Sequence, residues 1–89
     1  MKKNLIIHVQ GRVQGVFFRL AAKELALSLG LAGVARNEPD GGVSVEVEGE
    51  TGPLERFVEW CRHGPEQSTV KSLDIRDGEV RGLRDFIIR

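Results

Sequence analysis

The chain has 89 residues, 40% of them hydrophobic, which is enough for one domain with a modest core and excludes a second. Thirteen basic residues balance thirteen acidic ones, so bulk charge favours neither duplex nucleic acid nor an anionic membrane as a partner. The single cysteine, Cys61, excludes an internal disulfide, an iron–sulfur cluster and a cysteine-rich zinc site. We therefore expect one soluble, cytoplasmic and monomeric domain over residues 1–89, without a membrane-spanning segment.

The first part of the chain predicts a strand, a helix and a second strand. Leu5, Ile7 and Val9 alternate with residues that face the other way, which is typical of a strand with one face on a core. Apolar residues at three- and four-residue spacing then predict a first helix: Phe18, Ala21, Ala22, Leu25, Ala26 and Leu29. Gly30 stands where a C-terminal cap is expected, and residues 31–36 follow as a short second strand.

The rest of the chain predicts a hairpin, a second helix and two further strands. Residues 38–42 are dense in turn formers, and the alternation of residues 43–48 predicts a third strand with its glutamates on a solvated face. Pro53 is expected at the first position of a second helix, which Gly64 ends. A fourth strand runs through Ile75 to a turn near Gly78, and residues 86–88 form a last strand.

This order, β-α-β-β-α-β with one extra terminal strand, predicts a ferredoxin-like architecture. Two split βαβ units build an α+β sandwich, in which a mostly antiparallel sheet carries both helices on one face. Many activities share this architecture, so the function has to be inferred from particular residues.

The loop between the first strand and the first helix is the candidate binding site. Its predicted phosphate-binding residues are Gly11, Arg12, Val13, Gln14, Gly15, Val16, Phe17 and Phe18. Two glycines four positions apart allow a sharp turn in which successive main-chain N–H groups converge, and the following helix N-terminus adds a positive dipole end. Such a loop suits an anion of phosphate size, although the same composition also occurs in a simple tight turn.

Arg19 directly follows this loop, in the first turn of the predicted helix. A cation at this end of a helix is unfavourable by roughly 0.3–1 kcal/mol, and the first acidic residue of the helix is Glu24. A bound dianion would make the position of Arg19 favourable, because the guanidinium and the loop amides would then both attract the dianion. The alternative is an arginine whose head is simply solvated.

Arg19 and Asn37 are the two candidate catalytic residues. The first and second strands of a βαβ unit run parallel, so the loop after strand one and Asn37 after strand two are expected at the same sheet edge. Its amide can accept a hydrogen bond from water and donate one to a phosphoryl oxygen. The alternative is a turn residue that bonds its own backbone.

These residues resemble the acylphosphatase family, nearly end to end and in the family's order and spacing. The resemblance rests on residues 11–19, on Leu29-Gly30-Leu31 with Gly33, on Arg36-Asn37 with Asp40-Gly41, and on Phe86-Ile87-Ile88-Arg89. It implies hydrolysis of small acyl phosphates to a carboxylate and inorganic phosphate without a metal or cofactor. It also implies that Arg19 and the loop amides bind the phosphoryl group while Asn37 orients the attacking water. The sequence departs from the family pattern at Val34, Ala35 and Glu66.

The same residues give weaker support to other functions. A non-catalytic anion-binding or regulatory module that kept the loop is the main alternative. The open face of the sheet is not suited to RNA recognition, because it carries glutamates and His8 and lacks the aromatic rings on which bases stack. His8 and His63 have no second ligand at metal-binding spacing, and Cys61 continues an apolar stripe as a buried structural thiol.

Overall fold

The computed structural model describes all 89 residues, as two helices on a five-stranded sheet. The elements are β1 (Lys2–Arg12), α1 (Phe18–Ser28), β2 (Ala32–Asn37), β3 (Val43–Glu50), α2 (Thr51–Cys61), β4 (Thr69–Gly78) and β5 (Phe86–Ile88). The strand order is β4-β1-β3-β2-β5, and only the β2–β5 pair is parallel. The ferredoxin-like α+β sandwich expected from the sequence is confirmed, and the extra terminal strand joins it at the β2 edge. No helix has the length and apolar character needed to cross a bilayer.

The core lies between the helices and one face of the sheet. Ile7 and Val9 of β1 are fully buried, which confirms the alternation seen in the sequence. From α1, Phe18 is buried, and its ring centroid lies 5.1 Å from that of Trp60 on α2. The central strands and the two helices therefore share one continuous hydrophobic cluster.

The sheet register brings the ends of β1 and β2 to one edge. Both strands pair antiparallel with β3, so they run in the same direction, and Val43 of β3 faces Val9 on one side and Asn37 on the other. Val9 and Asn37 thus occupy one row, two strand spacings or about 10 Å apart. The end of β1 and the loop that follows it therefore lie at the same end of the sheet as Asn37.

Two predicted boundaries are wrong. α2 begins at Thr51, so Pro53 is its third residue and not its first. Proline is still tolerated there, because the first four N–H groups of a helix have no partner within the helix. The turn expected near Gly78 also begins later, because β4 pairs with β1 as far as Gly78 itself.

The expectation that Glu48 lies on a solvated face is wrong as well. Glu48 is 2% exposed, since residues 79–85 cross the open face of the sheet above it. Its carboxylate accepts hydrogen bonds from the Asn4 side chain at 3.0 Å, the Arg81 N–H at 2.8 Å and the Leu83 N–H at 2.9 Å. Alternation along a strand reports which face a residue occupies, but not whether a distant loop covers that face.

Candidate functional site

The loop of residues 13–17 is anchored in the core at two points. Val13 is 1% exposed and Val16 is 6% exposed, so their side chains fix the loop from below. Between and after them, Gly15 (φ 74°) and Phe17 (φ 62°) adopt left-handed conformations. The N–H groups of residues 13–17 donate no hydrogen bond to any other group of the protein. Alternation of backbone handedness with free N–H groups is the geometry of an anion-binding nest.

Phe17 carries strain that the sequence did not signal. It is the only residue other than glycine with a positive φ, and it occupies the N-cap of α1 without a side-chain hydrogen bond. A non-glycine residue in this region costs about 1–3 kcal/mol, and such strain concentrates at functional sites. The Phe17 side chain is 74% exposed, so burial of its ring does not offset the cost.

Arg19 is the second residue of α1 and faces the same region as the loop. It forms no salt bridge, and the first turn of α1 contains no acidic residue. Its Nη1 donates a hydrogen bond of 2.5 Å to the main-chain oxygen of Arg89, which directs the guanidinium. No acidic side chain therefore compensates the charge of Arg19 or the positive end of the helix, which favours an anion here.

A cavity of about 260 Å³ lies between this arginine and the loop. Its lining residues are Val13, Gly15, Phe17, Phe18, Arg19, Leu20 and Ile88. A larger cavity of about 450 Å³, between α2 and strands β1 and β4, contains none of the predicted site residues. The smaller cavity is the candidate site, because it combines the Arg19 guanidinium, which has no acidic side-chain partner, with unbonded main-chain N–H groups of the loop.

Asn37 is exposed at the last position of β2 and does not line this cavity. Two connections relate it to the loop and to Arg19. The Arg89 N–H donates to the Ala35 oxygen at 2.8 Å, and the same Arg89 accepts the bond from Arg19. The Gln14 side chain bonds the turn that directly follows Asn37. Asn37 is therefore linked to the loop and to Arg19 through Gln14 and Arg89, without a direct hydrogen bond.

Gly11 and Arg12 belong to β1, so the loop proper is shorter than the sequence indicated. Gly11 (φ 134°) sits at a β-bulge opposite β4, where an added Cβ would lie 2.1 Å from the Thr69 oxygen. A glycine is thus required at this position, because β4 approaches the main chain too closely for a side chain. Arg12 is exposed and lines a different cavity, together with Asp40 and Lys71.

The other ionisable residues form no second reactive centre. His8, half-buried on the open sheet face, contacts the Ser44 hydroxyl at 3.1 Å and the Asp40 carboxylate at 2.9 Å. Burial raises the pKa of the Cys61 thiol to about 12, which removes it as a nucleophile. No three His, Cys, Asp or Glu side chains are grouped closely enough to hold a metal ion.

Comparison with known proteins decides the family. The acylphosphatase family model matches residues 5–88. The chain belongs to the acylphosphatase family. Among its relatives, the acylphosphatase of a Nocardioides species is 48% identical over 89 residues, which is all of this chain and 90% of that protein.

Solved acylphosphatase structures agree with this assignment. The crystal structure of acylphosphatase from Bacillus subtilis superposes with a TM-score of 0.94 at 34% identity, covering 100% of this chain and 99% of that one. An acylphosphatase from Coxiella burnetii gives a TM-score of 0.94 at 32% identity, covering 99% and 93%. The departures from the acylphosphatase pattern at Val34 and Ala35 lie in β2, and neither residue lines the candidate cavity.

Proposed function

We propose that this chain hydrolyses the carboxyl–phosphate bond of small acyl phosphates to a carboxylate and inorganic phosphate. The observation that carries the proposal is the set of unbonded N–H groups of residues 13–17 beside the Arg19 guanidinium, which has no acidic side-chain partner. These donors point to a tetrahedral dianion as ligand, which is what family membership leads one to expect.

Arg19 and the loop amides bind the phosphoryl group in this proposal. Arginine has five N–H donors, and one of them already bonds Arg89, so the remaining donors can hold two phosphoryl oxygens as a fork. The nest amides contribute hydrogen bonds to the same oxygens. Charge on the equatorial oxygens is thereby stabilised by groups that need no reorganisation during the reaction.

Asn37 orients the attacking water. The water oxygen forms a bond to phosphorus as the bond from phosphorus to the acyl oxygen breaks, and the electron pair leaves with the carboxylate. A carboxylate is a good leaving group, so no strong general acid is required. One water proton remains on the product phosphate and the other passes to it or to solvent, so no basic side chain is needed either.

Turnover of benzoyl phosphate in the presence of EDTA tests this function. The wild-type chain should hydrolyse it, and Arg19→Gln should lower kcat/KM at least about 100-fold, since two charge-assisted hydrogen bonds of about 1.5–3 kcal/mol each are lost. Arg56→Gln is the matched control, because Arg56 is exposed on α2 and in no salt bridge. Full activity of Arg19→Gln would contradict the proposal.

The alternative, a non-catalytic anion-binding module, gives a different result in the same assay. Such a module would bind inorganic phosphate through Arg19 but release no benzoate. A monomeric state and a cytoplasmic location remain predictions from the sequence.

A further inference from the structure

Gln14 bridges two separate parts of the candidate site. Its side-chain Nε2 donates to the main-chain oxygen of Glu38 at 2.8 Å and to that of Gly42 at 2.9 Å. Both amide hydrogens are therefore used within the protein. The side chain is half-buried, and its main chain lies between the core-anchored Val13 and Val16.

The two acceptors are the ends of the turn between β2 and β3. The Glu38 N–H bonds the Gly42 oxygen at 2.9 Å, which closes this turn. Asn37 comes immediately before Glu38 and pairs in the sheet with Val43, which comes immediately after Gly42. Gln14 thus bonds the two residues, Glu38 and Gly42, that adjoin the paired residues Asn37 and Val43.

We propose that Gln14 is a positioning residue that sets the distance between the phosphate-binding loop and Asn37, an inference that rests on the proposed function. Residues 13–17 hold the phosphoryl group, whereas Asn37 at the end of β2 orients the water. Apart from Gln14, the loop and β2 are connected only indirectly, through the sheet and through Arg89. Gln14 supplies a direct connection between them. A shift of about 1 Å between bound group and catalytic side chain can cost about 100-fold in rate.

A direct contact of the Gln14 side chain with the phosphoryl group fits the geometry less well. Its two donors already face main-chain oxygens, and its free atom is the amide oxygen. That oxygen is an acceptor and would repel an anionic ligand. The contribution of Gln14 to binding is then limited to its main-chain N–H, which no substitution by another non-proline residue removes.

Gln14→Ala separates positioning from binding. We expect kcat for benzoyl phosphate to fall about 10- to 100-fold, while the inhibition constant of inorganic phosphate changes less than about threefold. Gln10→Ala is the matched control, because the Gln10 amide bonds the same turn at 3.0 Å but through the exposed Asp40 carboxylate. It should change kcat less than about threefold.

Gln14→Glu adds a readout that a purely structural role would not move. The carboxylate has the same shape but faces two oxygen acceptors, so kcat should fall at pH 7. On acidification the protonated side chain regains one donor, and the ratio of variant to wild-type kcat should rise. Circular dichroism at each pH verifies that both proteins remain folded.

The outcomes separate this inference from the function on which it depends. Wild-type turnover with an undiminished kcat in Gln14→Ala overturns the inference alone, as does a parallel loss of phosphate affinity. Absence of turnover by the wild type overturns the proposed function and the inference with it. Should Gln14→Ala fail to fold, a pH-independent rate ratio for Gln14→Glu overturns the inference, and a rising ratio supports it.

Discussion

Substitution of Glu48 by glutamine should destabilise the fold and remove part of its acid sensitivity. Burial alone would raise the pKa of this carboxyl, but hydrogen bonds from the Asn4 side chain and the N–H groups of Arg81 and Leu83 outweigh it. The pKa of Glu48 therefore falls from 4.5 to about 2. At about 1.4 kcal/mol for each tenfold change in proton affinity, this corresponds to an upper limit of about 3.5 kcal/mol of stability.

The sign of the effect follows from the lowered pKa in the folded state. The contribution is fully present above about pH 4.5 and is lost as the pH falls toward about 2, where the folded protein also binds the proton. Glu48→Gln retains one acceptor oxygen, but its amide nitrogen faces a main-chain N–H donor. We expect a loss of about 2–3 kcal/mol in the free energy of unfolding at pH 7, or roughly 10–20 °C in Tm for a domain of this size.

Urea unfolding, followed by the fluorescence of Trp60 at pH 7, 4.5 and 3, measures this effect. Glu55→Gln is the matched control, since Glu55 is exposed on α2 and should change the free energy of unfolding by less than about 0.5 kcal/mol. The difference between Glu48→Gln and the wild type should shrink between pH 4.5 and 3. Equal stability of the two at pH 7, or a difference independent of pH, would refute the assignment of Glu48 as the anchor of residues 79–85.

Three further substitutions or measurements test the site and the core. Asn37→Ala should lower kcat about 100-fold and leave phosphate inhibition nearly unchanged, because the residue aims water and does not hold the phosphoryl group; equal losses would contradict this role. Phe18→Ala should cost about 3–5 kcal/mol in the free energy of unfolding, whereas Phe17→Ala should cost less than about 1, since only the first ring is buried; similar losses would refute the packing. The native Cys61 thiol should not react with a disulfide reagent at pH 8, where about one thiol in 10⁴ is ionised, and rapid labelling without denaturant would show it to be accessible.

Much of the molecule follows from local patterns in the sequence. The alternation in β1 and β3 and the stripes of α1 and α2 predict the element order, because each element must bury one face. Arg19 stands out because a cation breaks the local rule at a helix N-terminus. The parallel direction of β1 and β2 then predicts that Asn37 emerges at the same edge. These inferences need only spacing, charge and the handedness of connections.

The remaining features depend on contacts between residues far apart in the chain. Gln14 and Glu38 are 24 residues apart, Glu48 and Arg81 are 33 apart, and Arg19 and Arg89 are 70 apart. The sequence neighbours of a side chain do not reveal that a distant loop buries it or that a distant oxygen accepts its hydrogen bond. The left-handed conformation of Phe17 is likewise imposed by the packing on either side of it, because its own preference opposes it. The sequence by itself determined which groups stand at the sheet edge, and the tertiary structure decided how those groups are held relative to one another.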